Sequence, residues 1–159
     1  MALEIERKFL VDGDFMAEVT SSSRIVQGYL ASSPSASVRV RMYGEKGYMT
    51  VKGRISQSGM SRFEWEKEIP VDEALSLLRI CGGGVIDKVR HIVPFAGHDF
   101  EVDVFRGANE GLVLAEVELS CEDEAFEKPS WLGQEVTGDM RYHNSMLLKH
   151  PYINWKENE

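Results

Sequence analysis

The sequence predicts an α+β fold in which an antiparallel eight-stranded β-barrel is flanked by peripheral helices. Eight segments alternate apolar and polar residues with the period of two that is typical of a half-buried strand. The stretches between them are short and rich in Gly and Ser, which favours hairpins between antiparallel neighbours. With 159 residues and 43% hydrophobic composition, the chain can form one core, and we expect a single domain over 1–159.

The predicted strands follow one another through most of the chain. Turn-rich stretches separate them at 32–35, 44–47, 56–59 and 96–97. A meander of about eight strands can curl until it closes into a barrel. The predicted strands are 2–11, 25–30, 37–43, 48–53, 61–70, 85–93, 98–105 and 112–120.

Helices are predicted outside the strands. Asp72 can cap a helix with apolar residues at helical spacing, which ends at the glycines 82–84. A second helix is predicted after Asp139, and Pro151 supplies its stop. We also expect a short helix over 122–126.

Composition excludes several classes of protein. Lys and Arg number 18 against 26 Asp and Glu, so the net charge of −8 disfavours a nucleic-acid binder. No apolar run approaches the ~20 residues that span a bilayer, and no signal peptide is indicated. We therefore expect a cytoplasmic protein without a nucleic-acid or membrane partner. Cys81 and Cys121 form no metal-binding motif and are expected in the core, whereas the four histidines are expected at the surface or in local hydrogen bonds.

The polar positions of the predicted strands are mostly charged, and several strands carry a single sign. Alternate residues of a strand share a face, so Arg39 lies beside Arg41 and Glu116 beside Glu118. Like charges placed in this way cost stability unless a ligand neutralises them. From the pattern alone, a merely solvated sheet face remains an alternative. The charged positions are Glu4, Glu6, Lys8, Arg39, Arg41, Lys52, Arg62, Glu64, Glu66, Lys88, Arg90, Glu101, Asp103, Glu116 and Glu118.

A charged face on the inside of a barrel suits a polyanion that arrives with divalent cations. Arg and Lys bind phosphate oxygens, and Arg does so through its planar fork. Carboxylates hold Mg²⁺ or Mn²⁺, hard cations that prefer oxygen ligands and commonly bridge to substrate phosphates. The pattern therefore indicates a small ligand with several phosphates, and Mg²⁺ or Mn²⁺ as the cofactor.

The charged motifs also occur in a characteristic order. An ExExK string occupies residues 4–8, and it is followed by motifs at 38–41, 50–52, 62–66, 87–90, 101–105, 115–118, 134–137 and 141–144. Over essentially the whole chain, this order resembles the CYTH superfamily, the triphosphate tunnel metalloenzymes. The resemblance implies an antiparallel eight-stranded tunnel that binds triphosphate and supports metal-assisted attack on one phosphoryl group.

The resemblance also implies roles for individual residues. Glu116 and Glu118 would hold the metal that bridges the phosphates, and Glu4 and Glu6 would hold a second metal or orient the attacking water. Glu64, Glu66 and Asp103 would complete the metal-binding carboxylates. The implied phosphate-binding residues are Lys8, Arg39, Arg41, Lys52, Arg62, Lys88 and Arg90.

The activity that the resemblance implies is hydrolysis of inorganic triphosphate to pyrophosphate and phosphate. A class IV adenylate cyclase and a thiamine triphosphatase are alternatives, and a non-enzymatic phosphate-binding module is a further one. Retention of both acidic pairs argues against a pure binding module, because carboxylates near an anionic ligand gain little unless metals intervene. The expected partner is a small-molecule triphosphate, and the protein is expected to be a monomer or homodimer.

Overall fold

The computed structural model describes residues 2–155, which contain nine strands, two α-helices and four short 3-10 helices. The α-helices are α1 (Val71–Arg79) and α2 (Asn144–Lys149). The 3-10 helices are Met16–Glu18, Gly107–Asn109, Met140–Tyr142 and Tyr152–Asn154. The strands are β1 (Ala2–Val11), β2 (Ser21–Ser32), β3 (Ala36–Tyr43), β4 (Lys46–Gly53), β5 (Ser61–Ile69), β6 (Ile86–Phe95), β7 (His98–Phe105), β8 (Val113–Glu118) and β9 (Leu132–Glu135).

Eight of these strands close into an antiparallel barrel. They follow the order β5-β4-β3-β2-β6-β7-β8-β1, and β5 pairs with β1 to complete the ring. Strand β1 bonds to β5 through residues 2–5 and to β8 through residues 6–10, while β9 pairs with its last residues. The predicted fold class is confirmed, and the charged face lies inside the barrel rather than in open solvent.

The inside and the outside of the barrel follow from strand register. Residues that are directly opposite in an antiparallel pair project to the same side of the sheet. Lys8 is opposite Glu116, and Arg90 is opposite Asp103, so these charged residues share the inner face. Their apolar sequence neighbours, such as Phe9, therefore project outward.

The outward apolar face is covered by a long connection and by one helix. In the connection between β8 and β9, the Phe126 ring lies 5.9 Å from Phe9 and the Trp131 ring lies 5.6 Å from Phe100. On the other side, α1 packs on β4, where a Cβ at Gly47 would lie only 2.6 Å from Cβ of Ala74. This close approach requires glycine, because a larger residue would push the helix away from the sheet.

One end of the barrel interior is apolar. Ile86 lies two residues before the inward Lys88 on β6, and Leu114 of β8 lies opposite Asp103. Both side chains therefore project inward, and both are buried. They pack with Leu147 of α2 and with Tyr142 and Trp155 from the C-terminal segment. The C-terminal segment thus fills this end and confines the charged space to the rest of the interior.

Several local predictions were wrong. Residues 122–126 form no helix, because Glu124 bonds instead to the Ser120 backbone and hydroxyl and to His98. Helix α1 begins at Val71, and Asp72 lies inside its first turn rather than capping it. The predicted C-terminal helix is divided at His143, where the backbone is extended.

Other differences concern strand bounds and burial. Strand β2 begins four residues earlier than predicted, because 21–24 pair with β6, and the short β9 was not predicted. Cys81 is buried as expected, but Cys121 is exposed in the loop after β8. Within residues 2–155, no helix combines the length and the apolar character needed to cross a membrane.

Candidate active site

A polar cavity of about 290 Å³ occupies the charged part of the barrel interior. Every predicted site residue except Asp103 lines it. Each strand of the barrel contributes, because inward side chains alternate along every strand. The predicted residues on its wall are Glu4, Glu6, Lys8, Arg39, Arg41, Lys52, Arg62, Glu64, Glu66, Lys88, Arg90, Glu116 and Glu118.

The basic side chains are buried and crowd one another. Arg39 is 7%, Lys88 2% and Arg90 8% exposed. Burial, reinforced by repulsion from Arg39 and Arg90, lowers the pKa of Arg41 to about 10. Burial likewise lowers the pKa of Lys88 to about 8, although Asp103 opposes this effect. Concentrated positive charge of this kind is destabilising by itself and is relieved by an anion.

Three of the arginines also have hydrogen-bond donors that are not used. The Nε atoms of Arg39, Arg41 and Arg62 are buried and donate to no other residue of 2–155. A buried donor without an acceptor costs about 1–3 kcal/mol. Three such donors around one cavity indicate that the ligand for which the site is built carries several acceptor oxygens.

Asp103 has a different place from the other carboxylates. It lies 3% exposed behind the basic wall, accepts two hydrogen bonds from Arg90 at 2.8 and 2.9 Å, and lies 2.7 Å from Lys88 Nζ. Burial alone would raise the pKa of Asp103, but Arg90 and Lys88 hold it well below its ordinary value. Both oxygens are thus engaged by basic side chains, and the predicted part of Asp103 in a metal-binding cluster stays a prediction.

Glu66 is also held by basic neighbours. Its Oε2 accepts from the Thr50 hydroxyl at 2.7 Å and from Arg41 at 3.2 Å, and it lies 3.7 Å from Arg39. Burial would raise its pKa, but these contacts lower it. Glu66 therefore orders the arginines of β3.

The remaining carboxylates lie close together on neighbouring strands, where Glu6 of β1 is directly opposite Glu118 of β8. Burial, followed by repulsion from Glu116 and Glu4, raises the pKa of Glu6 well above its ordinary value. Burial and the charge of Glu4 also raise the pKa of Glu118 and of Glu64.

Glu116 is the exception among these carboxylates. Burial would raise its pKa, but Lys8, a hydrogen bond from Glu6 and the Arg90 guanidinium together lower it to about 2. Glu6 and Glu116 thus repel each other, and a cation bound between them would relieve this repulsion.

The donor set fits a divalent cation that is shared with a ligand. Within residues 2–155, no group of three carboxylate, imidazole or thiolate side chains is arranged to hold a metal ion by itself. Mg²⁺ is usually bound through one or two carboxylates together with substrate phosphates and water rather than in an all-protein cage. Glutamates that lie beside basic side chains, such as Glu4 beside Lys52, agree with this mode of binding.

Part of the cavity wall comes from residues to which the sequence assigned no role in the site. Glu101 lines the cavity 3.3 Å from Arg90, and its pKa is raised by burial. His143 was expected at the surface or in local hydrogen bonds, yet it lines the cavity, and burial next to Lys8 lowers its pKa to about 4. Its neighbour Asn144 accepts a hydrogen bond from Lys88 at 3.2 Å.

Comparison with known proteins agrees with this geometry. The sequence matches the CYTH domain family over residues 2–150. A protein of Acetivibrio thermocellus named inorganic triphosphatase is 50% identical over 99% of this chain and 100% of its own length. One of Nitrosomonas europaea with the same name is 40% identical over 91% of this chain and 95% of its own. A crystal structure of an inorganic triphosphatase superposes with a TM-score of 0.68 at 38% identity, covering 93% of this chain and 95% of that one.

Proposed function

The chain belongs to the CYTH domain family, and from that premise we propose that it hydrolyses inorganic triphosphate to pyrophosphate and phosphate within the barrel cavity. One observation carries the proposal: seven basic side chains from five strands converge on one cavity, which several glutamates also line. The relatives named inorganic triphosphatase, which match nearly the whole chain, support the choice of substrate.

The basic wall would bind the phosphates. Arg39 and Arg62 each have a buried Nε that lacks an acceptor among residues 2–155, and the phosphate oxygens would supply these acceptors. Lys8, Lys52 and Lys88 would add point charges from β1, β4 and β6. We propose that Asp103 fixes Arg90 and Lys88 from behind, so that both point into the cavity with little loss of freedom on binding.

The glutamates would hold the cations. We assign Glu116 and Glu118 to one Mg²⁺ or Mn²⁺ ion, and Glu4, Glu6 and Glu64 to a second ion or to the attacking water. A bound Mg²⁺ or Mn²⁺ would neutralise charge on the phosphate oxygens and polarise the phosphoryl group. Asp103 is left out of this set because it does not line the cavity, and Glu66 is left out because its Oε2 lies 3.7 Å from Arg39 and 3.2 Å from Arg41.

The chain's own contribution to the reaction is alignment and charge. Phosphoryl transfer requires little covalent participation from the protein, since its transition state is stabilised by positioning and by electrostatics. The arginines would hold the chain of phosphates in line along the cavity. The carboxylates opposite them would orient a water molecule toward the terminal phosphoryl group, so no side-chain nucleophile is needed.

The test is a comparison of substrates and metals. Phosphate release is measured from tripolyphosphate, ATP and thiamine triphosphate, each with Mg²⁺, Mn²⁺ or EDTA, and cyclic AMP is assayed in the ATP samples. We expect fast release from tripolyphosphate that EDTA abolishes. Cyclic AMP with pyrophosphate from ATP would instead assign the protein to the cyclases, and preferential release from thiamine triphosphate would assign it to the thiamine triphosphatases.

Two lysines of the same strand supply a matched pair of variants. Lys52 lines the cavity and bonds to Glu4 at 3.0 Å, whereas Lys46 is exposed at the start of β4. Lys52→Met should lower kcat/KM for tripolyphosphate by about 100-fold or more, the range for a charged transition-state contact. Lys46→Met should leave it unchanged. Equal effects of the two substitutions would show that the reaction does not occur in this cavity.

A further inference from the structure

Gln27 is a buried polar residue to which the proposed function gives no part. It lies in the middle of β2 with 0% of its surface exposed. Neither its amide nitrogen nor its amide oxygen bonds to another residue of 2–155. A buried amide without partners is costly, so a residue that is kept in such a position needs an explanation.

The register of β2 places Gln27 beside one arginine of the basic wall. Gln27 is directly opposite Arg41 on β3 and opposite Ile86 on β6. Directly opposite residues of an antiparallel pair project to the same face with their Cβ atoms about 5 Å apart. The Gln27 side chain therefore projects into the barrel, between the Arg41 guanidinium and the apolar end that Ile86 helps to fill.

Arg41 is in turn incompletely held. Its Nη2 donates to Glu66 at 3.2 Å, and its guanidinium lies 5.1 Å from the ring of Tyr43. Its Nε is buried and has no acceptor among residues 2–155. A polyanion in the cavity would draw the guanidinium away from Glu66, because phosphate oxygens compete for the same donors. When the Arg41 guanidinium leaves Glu66 in this way, its Nε needs another acceptor to fix the side chain.

We propose that Gln27 is a positioning residue for Arg41: its amide oxygen accepts a hydrogen bond from Arg41 Nε and holds the guanidinium toward the bound triphosphate. The inference rests on the proposed function, since it assigns the partner of Arg41 in the occupied cavity. A carboxamide suits this task better than a carboxylate does, because it fixes the guanidinium without neutralising the charge that attracts phosphate.

The proposal is tested by binding and by stability together. The dissociation constant of tripolyphosphate is measured calorimetrically without metal, and the melting temperature of each protein is measured alongside. Gln27→Met should weaken binding roughly tenfold, the size expected for one hydrogen bond to a charged group. The melting temperature should stay the same or rise, because methionine fills the space without unpaired polar atoms. Gln134→Met, an exposed change on β9, is the matched control and should alter neither quantity.

Coupling to Arg41 separates positioning from a general effect. Arg41→Lys removes the guanidinium Nε, so Gln27→Met should cause no further weakening in that background. Equal weakening in both backgrounds, an unchanged dissociation constant, or weaker binding with a melting temperature lowered by several degrees would each overturn the proposal. If the wild-type protein neither binds tripolyphosphate nor releases phosphate from it in Mg²⁺, the proposed function is wrong, and the inference fails with it.

Discussion

Replacing Asp103 by asparagine should destabilise the protein far more than the same change does at the surface. Asp103 is 3% exposed and is held by Arg90 through two hydrogen bonds and by Lys88 at 2.7 Å. Asparagine would leave two buried cations with one neutral acceptor between them. Removing one partner of a buried ion pair typically costs about 3–5 kcal/mol, because the remaining charge stays desolvated.

Asp87 supplies the control, because it forms the same forked pair in a different environment. Arg24 donates to its two oxygens at 3.1 and 2.8 Å, but the side chains are 59% and 26% exposed. Exposed pairs contribute about 0–1 kcal/mol. Asp87→Asn should therefore cost less than about 1 kcal/mol, so the two substitutions differ in burial while their chemistry is the same.

The assay is urea unfolding at pH 7 with thermal unfolding beside it. A loss of about 3–5 kcal/mol corresponds to a melting temperature lowered by roughly 10 °C, at about 2–4 °C per kcal/mol for a chain of this size. The folded-state pKa of Asp103 lies below its unfolded value, so its contribution is present above about pH 4 and is lost as the pH falls. The difference in the free energy of unfolding between the wild type and Asp103→Asn should therefore be smaller at pH 3 than at pH 7. Equal costs for Asp103→Asn and Asp87→Asn would refute the reasoning.

Three further predictions concern two charged residues of the cavity and one glycine of the loop between β4 and β5. Glu4→Gln should lower tripolyphosphate turnover by about 100-fold or more while changing metal-free binding less than threefold; equal losses would remove Glu4 from the reaction. The pKa of Lys88 is lowered to about 8, so the side chain loses its charge as the pH rises from 7 to 9. The affinity for tripolyphosphate, measured calorimetrically without metal, should therefore fall over this range. Lys88→Met should show no such fall. Gly59 has a φ of +80°, and a Cβ there would lie 2.7 Å from Gly138. Gly59→Ala should therefore lower the free energy of unfolding in urea by about 1–3 kcal/mol. Gly83→Ala should leave it almost unchanged, because, apart from its chain neighbours, no atom of the described residues lies within 4 Å of a Cβ at that position.

The alternation of charge along the strands carried most of the information about the site. Residues such as Arg39 and Arg41, or Glu116 and Glu118, share a face because of strand geometry alone, and closure of the barrel directs that face inward. The pattern could not separate Asp103 from the cavity carboxylates, since it has the same parity as Glu101. Only the positions of its partners show that its oxygens are already engaged.

Residues from outside the regular pattern could not be found in this way. His143 reaches the cavity wall because the C-terminal segment returns across one end of the barrel, and no periodicity predicts that return. Gln27 is a single polar residue in the mostly apolar stretch 25–30 of β2, and a lone polar residue is also typical of an exposed position. Residues 122–126 have a helical composition, but the tertiary bonds of Glu124 override it.

The central claim is that the charged cavity hydrolyses a phosphoric anhydride of inorganic triphosphate. A phosphorus NMR time course of tripolyphosphate with the wild type and with Arg39→Ala, both in Mg²⁺, tests it most directly. Arg39 lines the cavity 7% exposed, with a buried Nε that has no acceptor among the described residues. We predict that the wild type converts tripolyphosphate to pyrophosphate and phosphate in equal amounts and that Arg39→Ala does so at least about 100-fold more slowly. Unchanged tripolyphosphate with the wild type, or equal rates for the two proteins, would contradict the account.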